Sequence, residues 1–436
     1  MAERIFHHHS KTLQGTSSIP GDKSISHRSI IFSSLAKGST TITNFLPGED
    51  CLLTIEAFRK LGVTIQQNDT CVTVESEGYQ SFTDPTTPIY LGNSGTGARL
   101  LIGLFAGLPV FTTIHGDPYL SERPMDRVVH PLREMGASIS GRDHGSRLPI
   151  AIQGGRLTGI DYSLPVKSAQ VKSAVLLGGL FAEGNTTVRE ETKTRDHTEK
   201  MMQMFGASID IQENTVTVSA SDIKTPGKIH VPGDISSAAF FLGAGAIVPE
   251  STILLKDIGL NETRTGILDV LKRMGAHMII EQTTTNDEQE PIGNIEIRFS
   301  SLVGTTIEGH LIPRLIDEIP IIALLATQAK GETVIRDAAE LRVKETDRIK
   351  AVVEVLETFG ANIRETDDGM VITGKTPLTG GKVSAYGDHR MAMMEVIASF
   401  VTTDSVTIDD VSSIDISFPS FFSHIDQLTH NRSIKF

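Results

Sequence analysis

The stretch IPGDKSISHRS (residues 19–29) returns later in the chain as VPGDISSAAFF (residues 231–241), with the frame kept and the charges of Lys23, His27 and Arg28 gone. Each copy reads as a turn leading into a helix. A chain that writes one such element twice is repeating itself, and the repeat decides the fold. The segments FRKLGVTI, LREMGASI, MQMFGASI, LKRMGAHM and LETFGANI each close an amphipathic run with a glycine and then alternate apolar residues. Their glycines, Gly62, Gly136, Gly206, Gly275 and Gly360, are spaced by roughly 70 to 85 residues. Each glycine suits a helix C-cap, and the alternating residues after it suit a half-buried strand. A second recurrence lies between them. SSLAKGSTTI, GLFAGLPVFT, GLFAEGNTTV, GAGAIVPEST, LATQAKGETV and ASFVTTDSVT each end a small, apolar helix at a breaker and open a β-branched strand.

These patterns predict six units with two helices apiece. The sixth lacks its Gly-Ala strand, since the chain runs from Phe418 through HIDQLTHN to its end. The N-terminal segment around Ile5 to Gln14 is the simplest source of the missing strand. Pro20 and Pro232 lie about three units apart, so the chain is two halves of three units each. The boundaries expected are residues 21–228 for one domain and residues 1–20 with 229–436 for a discontinuous second one, joined by two strands that could hinge. A solenoid is the rival architecture, but its period is usually about 20–50 residues. Three units per domain suit a closed pseudo-threefold better than an open stack. Small apolar stretches such as SAVLLGGL and IPIIALLA imply helices buried on most sides. The fold class expected is α/β: two similar domains, each with parallel helices inside and sheets outside, an inside-out α/β barrel.

Composition removes several function classes. The chain has 436 residues, 39% hydrophobic and 21% charged, as in ordinary globular proteins. Its apolar runs fall short of the ~20 residues that cross a bilayer, and no signal-peptide core precedes them, so no membrane partner and a cytoplasmic location are expected. The formal charge of −13 argues against nucleic acid as a partner. Cys51 and Cys71 are too few for a disulfide framework and lack partners at metal-ligand spacing; we read both as structural. His7, His8 and His9 read as a polar start, with a metal-binding tract as the alternative.

Chemistry concentrates before the buried helices, in DKSISHR, GNSGTGAR, VKSAQVK, GDISSAA, LIDEIP and YGDHRMA. Helix N-termini carry unpaired N–H groups and partial positive charge, so they attract anions. Lys23, Arg28, Arg99, Lys167, Lys172 and Arg390 stand at or just past these starts. Arg123, Arg127, Arg195, Lys344 and Arg348 open the second helices. Any one of them could serve a solvated turn or a salt bridge. As a set that tracks two places in a repeat, they point to small, multiply charged anions such as phosphates and carboxylates. Asp317, Glu318, Glu345 and Asp388 stand among these cations, either as salt-bridge partners or as groups that move protons. If KETDR is helical, Lys344, Glu345 and Arg348 share a face. No Walker A pattern, dinucleotide fingerprint, serine elbow or metal-ligand spacing occurs.

Seven motifs in order, IPGDKSISHR, GNSGTGARLL, ERPMDRV, SAQVKSAVLLGGL, TRDHTEKM, RVKETDRI and GDHRMAM, resemble the 5-enolpyruvylshikimate-3-phosphate synthase family from about Pro20 to Pro419. The resemblance implies two domains of three repeats with an active site in the cleft between them, no metal and no cofactor. It implies transfer of the enolpyruvyl group of phosphoenolpyruvate to the 5-hydroxyl of shikimate 3-phosphate, in the shikimate pathway of aromatic amino-acid biosynthesis. Carried over by motif, Lys23, Ser24, Arg28, Ser168, Ala169, Gln170, Arg195, Asp317 and Lys344 would hold shikimate 3-phosphate. Lys23, Asn93, Gly95, Thr96, Arg123, Gln170, Glu345, Arg348 and Arg390 would hold phosphoenolpyruvate. Asp317 and Glu345, assisted by Lys23 and His389, would carry the proton traffic. Glyphosate as inhibitor, domain closure on substrate and a monomeric state are also implied.

Two positions depart from the family pattern. Ile416 stands where many members have a lysine two residues before Phe-Pro, and Gly97 stands where larger residues are common, which bears on glyphosate sensitivity. Two alternatives remain. UDP-N-acetylglucosamine enolpyruvyl transferase shares the chemistry, but its loop cysteine is absent from GDPYLSERP (residues 116–124). A non-catalytic anion-binding module would give little reason for the carboxylates.

Overall fold

The computed structural model describes residues 3–8, 11–284 and 290–430, and the chain divides into two compact units. The first is built on Gly21–Val231, and the second on the chain before Gly21 and after Val231. The repeat is visible in the sheets. In the first unit they run Lys228–His230, Lys37–Thr43, Cys71–Glu77, Thr64–Asn68; then Ile89–Tyr90, Phe111–His115, Arg147–Gln153, Ser138–Gly141; then Asp161–Ser163, Asn185–Arg189, Thr215–Ser219, Ile209–Gln212. In the second unit they run Gln14–Ser18, Thr252–Gly259, Ile292–Arg298, His277–Gln282; then Thr306–Ile307, Gly331–Ile335, Gly369–Gly374, Asn362–Thr366; and finally Gly381–Val383, Val406–Ile408, Arg4–Phe6. In every sheet the first pair is parallel and the remaining pairs are antiparallel. A parallel pair needs a crossover connection; in four of these sheets a buried helix provides it, and in the other two a buried helix follows the first strand directly.

Two details differ from the expectation. The missing strand of the sixth unit is Arg4–Phe6, antiparallel to Val406–Ile408, while Gln14–Ser18 serves the fourth sheet by pairing parallel to Thr252–Gly259. The expected boundary at residue 228 is moved to Val231. Lys228, Ile229 and His230 pair with Thr41, Ile42 and Thr43, so Ile229 and His230 belong with the first unit.

Six helices fill the interiors: α1 (Lys23–Leu35), α2 (Gly95–Gly107) and α3 (Ala169–Gly179) in the first unit, and α4 (Ile235–Ile247), α5 (Ile319–Gln328) and α6 (His389–Ala398) in the second. Every residue of α4 and α6 is buried, and the apolar core of each unit gathers around its own three helices. Small residues permit this. A Cβ on Gly103 of α2 would lie 2.3 Å from the carbonyl oxygen of Ala174 in α3, so only glycine lets these backbones meet. The five repeat glycines all have positive φ, between 72° and 97°, at the ends of the second helices. His8, one of the three N-terminal histidines, packs its ring on Phe400 at 4.4 Å and pairs through Nδ1 with Ser399 Oγ at 2.8 Å; His9 lies outside the described residues. Cys51 is buried and Cys71 exposed. Among the described residues no helix is long and apolar enough to cross a membrane.

The two opening stretches share a device. Asp22 caps α1 by accepting from the Ile25 amide at 2.9 Å, and Asp234 caps α4 by accepting from the Ser236 amide at 3.0 Å. In the second copy the buried Arg264 donates to Asp234 Oδ1 at 3.1 Å and to Ser236 Oγ at 2.6 Å, so a cation is supplied from within the chain. In the first copy His27 is fully buried, its Nδ1 paired with Thr54 Oγ1 at 2.7 Å. Burial, only partly opposed by Asp50, pushes its pKa down to about 4. The folded state therefore refuses a proton that the unfolded chain takes up near pH 6.5, and stability falls as pH drops from about 6.5 toward 4. Urea unfolding at pH 7 and pH 5 is expected to show His27 contributing about 2 kcal/mol to that loss. A folded His27→Gln variant with the same pH dependence as the parent would contradict this.

Candidate active site

Each unit carries one half of the expected residue set. In the first unit, Lys23 lies in the first turn of α1 and its ammonium donates to Asp50 Oδ2 at 3.1 Å. Arg28 lies one turn further on and is buried. Its Nε donates to Thr198 Oγ1 at 2.7 Å, Nη1 to the Ser24 carbonyl at 2.9 Å and Nη2 to Ser173 Oγ at 2.9 Å. Burial pulls the Arg28 pKa down to about 10, with Glu199 the largest opposing influence, so the guanidinium stays charged at neutral pH. Arg28 is thereby fixed between α1, α3 and the helix His197–Met204.

The glycine loop forms the start of α2. Ser94 caps it by accepting from the Gly97 amide at 3.1 Å. Thr96 Oγ1 accepts from Gln170 Nε2 at 2.9 Å, and Gln170 Oε1 accepts from Arg99 Nη1 at 2.6 Å. Arg99 also donates to the Pro124 carbonyl at 3.0 Å, next to Arg123. The Arg123 guanidinium passes so close to Gly95 that a Cβ there would lie 2.8 Å from it. Gly95, Thr96, Arg123 and Gln170 are thus brought together, and Arg99 is their brace rather than a spare anion ligand. Ser168 caps α3 by accepting from the Val171 amide at 3.5 Å, with Ala169 as the first helical residue. Asn93 precedes the α2 cap, and its carbonyl accepts from the Gly95 amide at 3.0 Å. Arg195 stands half-buried on the segment between the strand Asn185–Arg189 and the helix His197–Met204.

The second unit gathers its set around one guanidinium. Arg348 is 1% exposed; its Nε donates to Asp388 Oδ2 at 2.7 Å, Nη1 to Asp317 Oδ1 at 3.1 Å and Nη2 to Glu345 Oε2 at 2.6 Å. Burial would lower its pKa, but Asp388, Glu345 and Asp317 overcome that and hold it above the ordinary arginine value. Lys344 lies 3.6 Å and Arg390 3.9 Å from Asp317, so three cations and three carboxylates form one network. Asp388 also caps α6 by accepting from the Arg390 amide at 2.8 Å, and His389 is the first, buried residue of that helix.

The contact between Glu345 and Arg348 does not come from a shared helix face. The helix begins at Arg348, Asp347 is its cap, and Lys344 closes the 3₁₀ turn Ala339–Val343, so the KETD residues lie in a turn. A second correction concerns Lys172. Its side chain is 0% exposed and its ammonium is held by Glu190 and Glu199 at 2.7 Å each, so it is not an anion ligand of the helix start. Sequence reasoning missed Asp50, Ser173 and Thr198. Asp50 had a readable signal, an acid in the first turn of the helix Glu49–Lys60. Ser173 and Thr198 lie inside quoted motifs, but a hydroxyl in a helix gives no sign of what it faces. Ile416 ends the 3₁₀ turn Ser412–Ile416 half-buried.

This arrangement can bind compact dianions at capped helix starts and move protons through carboxylates held by one arginine. The family model for EPSP synthase (3-phosphoshikimate 1-carboxyvinyltransferase) matches residues 8–425. The 3-phosphoshikimate 1-carboxyvinyltransferase of Oceanobacillus iheyensis is 55% identical over 419 residues, covering 96% of this chain and 97% of that one. That of Bacillus subtilis is 52% identical over 420 residues, covering 96% and 98%. The solved EPSP synthase of Acinetobacter baumannii superposes with a TM-score of 0.88 at 40% identity, covering 97% of each chain. The enolpyruvyl transferase NikO of Streptomyces tendae, at a TM-score of 0.76 and 16% identity, is alike in fold. With the repeat, the capped helix starts and the arginine-held carboxylates carried on one continuous match, the chain belongs to the EPSP synthase family.

Proposed function

We propose that the protein transfers the enolpyruvyl group of phosphoenolpyruvate to the 5-hydroxyl of shikimate 3-phosphate and releases phosphate, a step of aromatic amino-acid biosynthesis. The observation that carries this reading is the Arg348 network, which sets Asp317 and Glu345 beside Lys344 and Arg390 in a chain of this family. Shikimate 3-phosphate is assigned to Lys23, Ser24, Arg28, Ser168, Ala169, Gln170 and Arg195 of the first unit and to Asp317 and Lys344 of the second. Phosphoenolpyruvate is assigned to Lys23, Asn93, Gly95, Thr96, Arg123, Gln170, Glu345, Arg348 and Arg390. One substrate pair drawing on both units requires them to act together, so domain closure on substrate is part of the proposal.

The chemistry runs in two stages. The 5-hydroxyl oxygen attacks C2 of phosphoenolpyruvate and loses its proton, while C3 accepts one and becomes a methyl group. In the tetrahedral adduct a proton then leaves C3, the C2–O bond to phosphate breaks, and the vinyl double bond is restored. Charge builds on phosphate oxygens, which Lys23, Arg123 and Arg390 would stabilise. Asp317 and Glu345 take the proton steps, with Lys23 and His389 assisting. The residues present need no metal or organic cofactor for these steps. We place the protein in the cytoplasm as a monomer.

Phosphate release tests the function. Release is expected with phosphoenolpyruvate and shikimate 3-phosphate, and with neither shikimate nor UDP-N-acetylglucosamine as acceptor; folded protein inactive on all three overturns the reading. Asp317→Asn or Glu345→Gln is expected to lower kcat about 10²- to 10⁴-fold, the usual worth of a general acid or base. Glyphosate is expected to inhibit below millimolar concentration. Gly95→Ala, whose Cβ meets Arg123, should raise both the glyphosate concentration needed and the KM for phosphoenolpyruvate. Full activity at millimolar glyphosate would rule out the inhibitor assignment. Small-angle scattering should show a smaller radius of gyration on adding shikimate 3-phosphate, and an unchanged curve counts against closure.

A further inference from the structure

Lys172 is the fourth residue of α3, and nothing in the proposed reaction uses its ammonium directly. Its Nζ donates to Glu190 Oε1 and pairs with Glu199 Oε1, both at 2.7 Å, and reaches the Thr194 carbonyl at 3.4 Å. Glu190 Oε2 accepts from the Thr194 amide at 3.0 Å and from the Thr194 hydroxyl. Glu190 directly follows the strand Asn185–Arg189, and Glu199 lies in the helix His197–Met204. One buried ammonium therefore fastens α3 to both ends of the segment that carries Arg195. A parallel tie runs through hydroxyls: Thr198 donates to Ser173 Oγ at 2.7 Å, and Arg28 donates to both.

The energetics favour a geometric role over a stabilising one. Burial alone would lower the pKa of Lys172, yet Glu199 and Glu190 overcome it and hold it above the ordinary lysine value. Buried ion clusters of this kind contribute little net stability compared with apolar packing, because desolvation offsets most of the attraction. What such a cluster does supply is direction, since both oxygens of Glu190 and one of Glu199 are each held by a donor. Thr194, fixed by two bonds to Glu190, is the residue before Arg195.

We propose that Lys172, Glu190 and Glu199 form a positioning device that holds Thr194, and through it Arg195, at a set place relative to the Ser168–Gln170 start of α3, so that the phosphorylated acceptor meets a preformed receptor. This rests on the assignment of Arg195, Ser168 and Gln170 to shikimate 3-phosphate. The brace around the glycine loop, through Arg99, Gln170 and Thr96, uses none of the three charged residues, so the effect falls on the acceptor rather than on phosphoenolpyruvate.

Lys172→Met would strand two buried carboxylates and risks unfolding the unit, so Glu190→Gln is the informative variant, because it leaves Lys172 paired with Glu199. Steady-state kinetics in both substrates should show the KM for shikimate 3-phosphate raised about tenfold, the worth of one hydrogen bond to a charged group. The kcat and the KM for phosphoenolpyruvate should stay within about twofold of the parent. Thr194→Val should raise the same KM by a smaller factor, and Thr194→Ser, which keeps the hydroxyl, should restore it. Arg195→Gln alone should raise that KM, and adding Glu190→Gln to it should add little. Folded Glu190→Gln with all parameters unchanged overturns the proposal, as does a joint decline of kcat and both KM values with thermal midpoint, which would mean support of the unit only. If Arg195→Gln leaves the acceptor KM unchanged, the assignment of Arg195 fails and takes the proposal with it. If Arg195→Gln raises that KM and Glu190→Gln does not, the positioning role alone fails.

Discussion

Burying a helix on all sides creates a problem at its first turn, where amide hydrogens have no partner within the helix. This protein does so six times, and the way those starts are satisfied governs the rest. Asp22, Ser94, Ser168, Asp234 and Asp388 each accept from an amide in the turn they cap. α5 uses Pro320 in its first turn instead, which removes one donor, and the Glu318 side chain makes no cap. A capped start still projects partial positive charge, so every buried helix starts at a place that favours an anion. The fold thus produces anion sites as a by-product of hiding its helices, and the sequence chooses which to use. The echo of residues 19–29 in residues 231–241 shows the choice. One start carries Lys23 and Arg28, and the other is occupied by the chain's own Arg264.

The same economy appears among the cations. From sequence, Arg99, Lys172 and Arg348 look alike: basic side chains near a helix start. In the structure Arg99 braces Gln170 and the Pro124 carbonyl, Lys172 is sealed between two glutamates, and Arg348 is shared by three carboxylates. Each fixes neighbours whose orientation a substrate would depend on. A long flexible side chain that touches a ligand needs such support, because unheld rotamers lose entropy on binding.

The part of the fold legible in the sequence is the part that repeats. A glycine with positive φ at the end of the second helix in five of the six units has no easy substitute, so the period stands out. Helix burial was readable for the same reason, because only small residues let α2 and α3 approach at Gly103. The exchange of strands was partly readable. A unit short of a strand must borrow one, but which of two N-terminal segments it borrows depends on pairing partners far along the chain, Val406–Ile408 for Arg4–Phe6 and Thr252–Gly259 for Gln14–Ser18. The partners inside the site were the least readable. Glu190, Glu199, Thr198 and Asp50 reach Lys172, Arg28 and Lys23 across sequence separations that no local pattern encodes. The helical reading of KETDR failed because Asp347 caps the helix one residue before Arg348, which turns the preceding residues out of register.

An acidic protein that takes anionic substrates needs its local field to differ from its overall charge. With a formal charge of −13, surface carboxylates more than about 8 Å away are largely screened at physiological ionic strength, so the nearest fixed charges decide. Around Arg348 those charges are of both signs, with Asp317, Glu345 and Asp388 set against Arg348, Lys344 and Arg390. The three carboxylates are not equally exchangeable. Asp388 is fully buried and is also a helix cap, Asp317 is 12% exposed, and Glu345 is 21% exposed on a turn. Under the proposed function, Glu345 is therefore the carboxylate that an incoming carboxylate or phosphate would displace most readily, while Asp388 would keep the guanidinium aimed. A displaced Glu345 would then be a carboxylate beside the ligand that displaced it, where the proposed proton transfer requires one.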